Sequence, residues 1–248
     1  MTIQRFVGVD GCKAGWFAVV IDADGGFDSS IFEDIGALWN AHRDASAILI
    51  DIPIGLNSAG NLTRSCDAAA RNALKPLRYS SIFTAPCRET LSATSYEAAC
   101  RINQSICGKK ISQQAWNIAP KIREVDDFLQ TTTHARDILR ETHPEICFWA
   151  LNHYRPMKHP KKRGEGLSER LELLQKMYPQ SREIYMTALD SYPRKELARD
   201  DILDALVNAV TATRLDTFGA TLPEVPLKDA RGLTMEMVYA RVNAYGSE

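Results

Sequence analysis

The sequence carries almost no net charge, which limits what its overall electric field can attract. Its 30 Lys and Arg residues stand against 31 Asp and Glu residues, for a formal net charge of −1 at pH 7. A chain without bulk positive charge has no general attraction to nucleic acid or to membranes, so any polyanion has to be held by a local basic patch. The rest of the composition, 45% hydrophobic and 25% charged residues, is ordinary for a globular protein.

Two further patterns are missing from the chain. No apolar run approaches the roughly 18 residues that a membrane-spanning helix needs, and the first residues lack the charged-then-apolar pattern of a signal peptide. The six cysteines form no C-x-x-C pair, and their spacing fits neither a zinc site nor a disulfide scaffold. We therefore expect a cytoplasmic protein with no membrane partner, whose cysteines are small core side chains in a reducing compartment.

Asp10 ends the first predicted strand, residues 5–10, and a glycine-bracketed turn at 11–15 follows it. The apolar runs on both sides of this turn predict a β-hairpin. An acid at the end of a strand faces solvent on a rigid backbone, which is the combination that a catalytic group needs. Asp-Gly is also a common turn dipeptide, so both interpretations hold at this position.

The pattern continues as an α/β arrangement. Residues 5–33 predict three strands, residues 34–43 a helix, and the almost entirely apolar residues 47–52 a fourth strand that ends near Asp51. Such an apolar strand is typical of the centre of a sheet with helices on both faces. Residues 137–142 predict a fifth strand, and Pro144 opens the helix after it.

Residues 57–136 interrupt this alternation, and we expect a mostly helical insertion after the fourth strand. Its predicted helices are 66–74, 94–107 and 112–130, and residues 80–89 are expected to be extended. The insertion supplies several cations, of which Arg88 and Lys121 are candidate substrate-binding residues. A solvated helix face is the alternative for each of them.

A basic, glycine-containing segment at 155–166 predicts a mobile loop. Its cations Lys161, Lys162 and Arg163 are candidates for binding phosphate groups. A solubilising loop explains the same residues, because the segment has no aromatic side chains on which bases could stack. Helices are predicted after it at 167–178, 183–189 and 200–212.

The helix at 200–212 carries two acids on one face, Asp201 and Asp204, three residues apart. Paired acids on a packing face are costly unless a cation or water lies between them. Hard divalent ions such as Mg²⁺ are held by a few carboxylates together with water and phosphate oxygens. The helix dipole explains Asp201 as an N-terminal acid, but Asp204 lies deeper in the helix.

Acids at the ends of the first and fourth strands and on a late helix resemble the layout of the RNase H-like fold. The chain more closely resembles domain-of-unknown-function family 429, described as predicted RNase H-like nucleases. The segments that carry this resemblance are VGVDGC at 7–12 with Gly15 and Trp16, IDIPIGL at 50–56, Cys66, Asp67, Ala70 and Arg71, SIFTAPCR at 81–88, QAWNI at 114–118, KIREVD at 121–126, Glu141 with residues 143–145, and DDILDA at 200–205.

The resemblance implies an α/β RNase H-like fold: a five-stranded mixed sheet in the order 3-2-1-4-5, helices on both faces, and one domain over 1–248 that contains the 57–136 insertion. It implies Mg²⁺ or Mn²⁺ held by Asp10, Asp51, Asp201 and Asp204. Glu141 and Glu145 would be further ligands or groups that support the ligands. A nucleic acid would be the substrate, and the oligomeric state stays open, with a homodimer among the options.

Two classes of function compete. One is a metal-dependent nuclease that uses two-metal chemistry. The other is a non-nuclease, either a phosphotransferase of the actin-like kinase group or a catalytically silent binding protein. The turn that contains Lys13 resembles a phosphate-binding hairpin turn, which favours the phosphotransferase. A kinase of that group has a second Asp-x-Gly hairpin, whereas Asp51 is followed by Ile52 and Pro53. We therefore favour the nuclease.

Overall fold

The main sheet of the protein has five strands. A computed structural model describes residues 3–58 and 63–242, so residues 59–62 of the predicted insertion lie outside it. The strands are β1 (Arg5–Cys12), β2 (Gly15–Asp22), β3 (Phe27–Phe32), β4 (Ala47–Ile50) and β5 (Leu139–Glu141), in the order β3-β2-β1-β4-β5. β1 to β3 are antiparallel, and β4 and β5 run parallel to β1. The predicted mixed sheet and its strand order are confirmed.

The helices fill the connections between these strands. Between β4 and β5 the described chain is mostly helical, which is where the insertion was predicted. The helices are α1 (Ile35–His42), α2 (Ser65–Ala73), α3 (Tyr96–Cys107), α4 (Gln113–Thr131), α5 (Pro144–Leu151), α6 (Gly164–Met177), α7 (Ser181–Ser191), α8 (Arg199–Ala212) and α9 (Leu215–Phe218). The stretch predicted to be extended contains part of one short 3-10 helix, Tyr79–Ser81, and the start of another, Arg88–Ser92.

Both faces of the sheet are buried, as the apolar strands predicted. Along β2, Trp16 and Ala18 belong to one hydrophobic core, which also contains residues of α1 and α4. The alternate residues Phe17 and Val19 belong to a second core with residues of α5, α6, α7 and α8. This alternation with period two gives a sheet that has helices on both sides.

Gly8 allows α8 to lie directly against β1. A Cβ atom at this position would come 2.0 Å from the Ala209 nitrogen and 2.1 Å from the Ala205 oxygen, both of them backbone atoms. A glycine in the strand opposite alanines in the helix therefore lets the two backbones approach closely. Asp10 has the same strand parity as Gly8, so its side chain points to the face on which α8 lies.

A two-stranded antiparallel sheet, β6 (Gly219–Lys228) and β7 (Thr234–Ala240), was not predicted. It reaches the main sheet through a parallel bridge between Thr142 and Val238, just beyond β5. In the ranges that the structure describes, no helix is both long enough and apolar enough to cross a bilayer.

Candidate carboxylate centre

Asp10 and Asp51 lie side by side at one end of the sheet. Val9 of β1 pairs in parallel register with Ile50 of β4, so the next residue in each strand is an aspartate. The backbone N–H of Asp51 donates to the Val9 carbonyl at 3.1 Å, which continues the pairing beyond the assigned strand. Parallel neighbours in register point to the same face, so both carboxylates project to the side of α8.

The Val9 carbonyl also fixes the position of α8 relative to β1. The Nδ2 atom of Asn208 donates to the Val9 oxygen at 3.1 Å, and Asn208 is completely buried. Asp204 lies one helical turn earlier on the same face and is only 1% exposed. One backbone oxygen thus receives hydrogen bonds from β4 and α8, and three aspartates from three separate elements converge beside it.

Burial and neighbouring negative charges raise the pKa values of Asp10 and Asp51. Burial, followed by the charges of Asp51 and Asp204, raises the pKa of Asp10 well above its ordinary value. Burial also raises the pKa of Asp51, and Asp204 adds to this rise, whereas His143 and Lys161 oppose it. Like charges that share a buried site disfavour joint ionisation, so this cluster calls for a cation.

Lys161, from the basic loop, supplies one positive charge at this site. Its Nζ atom forms an ion pair with Asp204 Oδ2 and lies 4.0 Å from Asp200 Oδ2. Burial lowers the pKa of Lys161, but the attraction of Asp204, Asp10 and Asp51 reverses this, and the net shift is upward. The structure therefore places this predicted phosphate-binding residue among the carboxylates themselves.

An open pocket of about 610 Å³ lies over Asp10 and Asp51. Its other polar lining residues are Gln114, Asn117, Lys121 and Lys162. The Nζ atom of Lys121 donates to the carbonyl of Gly15 at 2.6 Å and lies 4.1 Å from the centroid of the Trp16 ring. Lys121 is therefore held at the pocket wall, whereas Lys162 is exposed at the rim.

Asp201 and Glu145 lie at the border of this centre. Asp201 accepts a hydrogen bond from the N–H of Ala198 at 3.1 Å, so it caps the start of α8. Burial raises the pKa of Asp201 to about 6, and Asp200 and Asp204 add to that effect. Glu145 forms an ion pair with Arg170, and its Oε2 atom is buried with no hydrogen-bond partner in the part of the chain that the structure describes.

Glu141 lies on the opposite face of the sheet, which corrects its predicted placement. It pairs in register with Ile50, so its side chain has the parity of Ile50 and not that of Asp51. Its carboxylate forms an ion pair with Arg64 and accepts a hydrogen bond from the N–H of Ile54 at 2.6 Å. The sequence places Glu141 near the correct sheet end, but a shift of one residue in register decides the face.

Among the residues that the structure describes, the one tight group of three potential metal ligands is Cys66, Asp67 and Glu141. Their ligand atoms all lie within 4.8 Å of one another and could hold a metal ion. Arg64 already contacts this group, with Nη2 at 3.0 Å from the Cys66 sulfur and Nη1 at 3.7 Å from Asp67. Because the guanidinium supplies a permanent positive charge there, an added cation would be repelled.

Within the described residues, the remaining candidate cations form no ion pair with Asp10, Asp51 or Asp204. Arg88 is buried and donates to both carboxylate oxygens of Asp126, at 2.9 and 2.8 Å, and it also pairs with Asp229. This corrects its prediction as a substrate-binding residue, because its guanidinium is occupied by internal carboxylates. Lys13, at the tip of the β1–β2 hairpin, and Arg163, before α6, are both exposed.

Sequence reasoning missed three residues of the site. His143, given no role by the sequence, caps α5 by accepting from the N–H of Glu145 at 3.1 Å, and its charge opposes the rise in the pKa of Asp51. Asn208 carried a usable signal, since it follows Asp204 by four residues on one helix face. Gln114 belongs to a segment that carries the family resemblance, but nothing local points to the site, because only the tertiary packing brings the start of α4 to the pocket over Asp10.

A comparison with family models decides the relationship. The model of a family described as "Protein of unknown function (DUF429)" matches residues 8–227. The chain belongs to this family. The match to DUF429 includes Asp10, Asp51, Asp204 and Lys161, together with every residue named above as lining the pocket. No curated protein and no solved structure matches the chain.

Proposed function

We propose that this DUF429 protein is a metal-dependent nuclease of the RNase H-like type, which hydrolyses phosphodiester bonds at the Asp10–Asp51–Asp204 centre. One observation carries the proposal: the buried Asp10 of β1 and Asp204 of α8 meet the half-buried Asp51, which follows β4, at one end of the sheet, and an open pocket lies over Asp10 and Asp51. The other charged residues that line this pocket are lysines, as expected for a site that binds a phosphate backbone next to a metal. The resemblance of the whole acidic layout to RNase H-like nucleases supports the same assignment.

The donor set fits a hard divalent cation. All three donors are carboxylates, which Mg²⁺ and Mn²⁺ prefer, and the charges around Asp10 and Asp51 favour a cation between them. When ionised, the three aspartates carry three negative charges, so a divalent ion neutralises more of this charge than the single ammonium group of Lys161 does. Such an ion, when bound, activates water and stabilises the leaving oxygen in phosphodiester cleavage.

The residues of the chain have separate roles in this proposal. Asp10, Asp51 and Asp204 hold the ion, and the Asn208–Val9 hydrogen bond fixes their relative position. Lys162, exposed at the rim, contacts phosphate oxygens of the substrate. Lys121 cannot move freely because Gly15 and Trp16 hold it, so it presents a fixed positive charge to the pocket.

A second pocket suggests that the substrate is extended. It has a volume of about 350 Å³ and shares Gln114 with the pocket over the aspartates. All of its charged lining residues are cations, namely Arg71, Lys109 and Lys110, and Phe83 adds an aromatic surface. This combination suits a nucleotide that flanks the cleaved bond, because cations bind its phosphate and an aromatic ring stacks on its base.

The test is single-turnover cleavage of labelled single-stranded and double-stranded DNA and RNA and of hybrid duplexes. Cleavage should need Mg²⁺ or Mn²⁺ and be suppressed by Ca²⁺, whose looser coordination spoils the in-line geometry. Asp204→Asn should lower the rate by more than the roughly 10–100-fold that loss of a group supporting a metal ligand costs. Binding of the polymer should remain. Asp190→Asn, at an exposed acid of α7, is the matched control and should cleave normally.

Two results would contradict the nuclease. If no polymer is cleaved and the protein instead hydrolyses ATP in an Asp204-dependent manner, the centre belongs to a phosphotransferase. If both assays are silent for a folded protein that binds no divalent ion, the centre serves no metal chemistry and the chain is a binding protein.

A further inference from the structure

The loop that carries Lys161 is anchored at several points along its length. The backbone oxygen of Met157 accepts a hydrogen bond from Arg78 Nε at 2.9 Å, and Met157 is buried. The Glu169 carboxylate accepts from the N–H groups of Lys158 and His159, each at 2.9 Å. The loop that the sequence predicts to be mobile is therefore hydrogen-bonded to Arg78 and to Glu169 of α6.

Gly166 allows the loop to close onto α6. A Cβ atom at Gly166 would lie 2.1 Å from the backbone oxygen of Pro160, so a side chain there would push the loop away. Arg170, which is completely buried, also donates to the His159 oxygen at 3.0 Å. Because residues 157–159 are hydrogen-bonded and Pro160 lies against Gly166, the loop directs the next residue, Lys161, toward Asp204.

Lys161 and Lys162 differ sharply although they are neighbours. The Lys161 side chain is one-third exposed and pairs with Asp204, which is itself buried. Lys162 is exposed and takes part in none of the ion pairs found within residues 3–58 and 63–242. The chain therefore provides one lysine inside the carboxylate centre and a closely matched one at its rim.

An ammonium group and a divalent ion need different arrangements of the same oxygens. Ammonium N–H···O⁻ bonds are about 2.7–2.9 Å long, whereas Mg²⁺–O distances are about 2.0–2.1 Å. In the described part of the chain, Asp10, Asp51 and Asp204 do not place three oxygens within 4.8 Å of one another. An ion that binds all three carboxylates therefore has to draw them inward, and it competes with the Lys161 ammonium group for Asp204.

We infer that Lys161 is an internal counter-cation of the carboxylate centre, which occupies the metal position in the metal-free protein and is displaced when a divalent ion binds. The inference rests on the proposed function, since it concerns the same metal centre. It makes Lys161 the residue that sets the affinity for the ion. Once displaced, Lys161 lies beside Lys162 at the rim, where it adds a second cation for a substrate phosphate.

The direct test is calorimetric titration of Mn²⁺ into the wild-type protein, Lys161→Met, Lys161→Arg and Lys162→Met. Lys161→Met should bind Mn²⁺ about tenfold more tightly, because the ion no longer has to displace a like charge. Lys161→Arg keeps the charge and should stay close to the wild-type affinity. Lys162→Met should remain within about twofold of wild type, since Lys162 forms no ion pair with the aspartates.

The outcomes separate this inference from the proposed function. If wild type and Lys161→Met bind Mn²⁺ with equal affinity, the counter-cation role is refuted and the metal centre stands. If none of the four proteins binds Mn²⁺, both the inference and the proposed nuclease are overturned.

A second measurement uses the wild-type protein, in case Lys161→Met does not fold without its counter-charge. Acylation of lysines with an activated acetate ester is followed by mass spectrometry, with and without saturating Mg²⁺. The rate at Lys161 should rise several-fold with Mg²⁺, because release from Asp204 exposes the amine. The rate at Lys162 should not change. An unchanged or lower rate at Lys161 with Mg²⁺ would overturn the inference.

Discussion

At the residue scale, the centre consists of carboxylates that are costly to ionise together. Asp10 is 8% exposed, and its pKa is raised first by burial and then by Asp51 and Asp204. A raised acid pKa means that the ionised group destabilises the folded state above that pKa. This destabilisation of the folded state is lost as the pH falls from the raised pKa of Asp10 toward 3.8, the ordinary pKa of an aspartate.

Asp10→Asn should stabilise the metal-free protein at neutral pH by about 1 kcal/mol, which corresponds to about 2–4 °C in Tm. Asparagine keeps the Oδ1 atom that accepts from the N–H of Gly11 at 2.8 Å, so the turn is preserved. Thermal unfolding with and without Mg²⁺ is the measurement. Wild type should gain stability from Mg²⁺, and Asp10→Asn should lose that gain.

The pH dependence provides the control for this prediction. As the pH falls through the raised pKa of Asp10, the wild-type carboxyl becomes neutral and the advantage of Asp10→Asn should shrink. An advantage that stays constant with pH would show that the variant acts by some means other than charge. A Mg²⁺ response that is undiminished in Asp10→Asn would place the ion elsewhere.

At the scale of elements, the position of Asp204 depends on how closely α8 packs on β1. Gly8 sets this distance, and Asn208 fixes the helix along the strand through its hydrogen bond to Val9. The contact brings Asp204 to the end of the strand that carries Asp10. Close packing of the two backbones is therefore a condition for the site and not only for the core.

Gly8→Ala should destabilise the protein by at least about 2 kcal/mol, because the added methyl group meets backbone atoms that cannot rotate away. It should also weaken the Mg²⁺-induced rise in Tm by moving α8 outward. Gly164→Ala is the matched control, since a Cβ atom at Gly164 meets nothing within 4 Å. If Gly8→Ala matches Gly164→Ala in a urea unfolding series, the packing account of the site is wrong.

The sequence predicts the secondary-structure elements well wherever apolar runs and turn residues form a clear local pattern. Apolar runs and turn residues predict the five strands, whereas their order comes from the family resemblance. In that order β1 and β4 are neighbours, and their ends bring Asp10 and Asp51 together. The face of Glu141 could not be predicted, because a one-residue difference in register reverses it. β6 was also missed, since Pro223, the exposed Val225 and Pro226 break the alternation by which a strand is recognised.

At the scale of the whole molecule, a buried ion cluster joins distant parts of the chain. Arg88 lies in the segment between β4 and β5, Asp126 lies on α4, and Asp229 follows β6. The Asp229 carboxylate also accepts from the backbone N–H of Leu56 at 2.9 Å, close to the end of β4. The cluster therefore fixes the helical segment and the C-terminal sheet against the end of the main sheet.

Arg88→Met should destabilise the protein by about 3 kcal/mol, or about 6–12 °C in Tm, because two buried carboxylates lose their main partner. Where the variant is folded, its binding to a polyanion should keep the wild-type salt dependence. Lys162→Met should show the reverse, with unchanged stability and a slope of log K against log salt that is reduced by about one. A reduced salt slope in Arg88→Met would restore Arg88 as a substrate contact.

The central claim is that Asp10, Asp51 and Asp204 form a centre for divalent ions, and a crystal soaked in Mn²⁺ tests it most directly. The anomalous difference map should show a peak within about 2.3 Å of oxygens from all three aspartates, with Lys161 moved away from Asp204. A peak at Cys66, Asp67 and Glu141 would contradict the account, and so would a soaked crystal in which the aspartates hold no ion and Lys161 stays paired with Asp204.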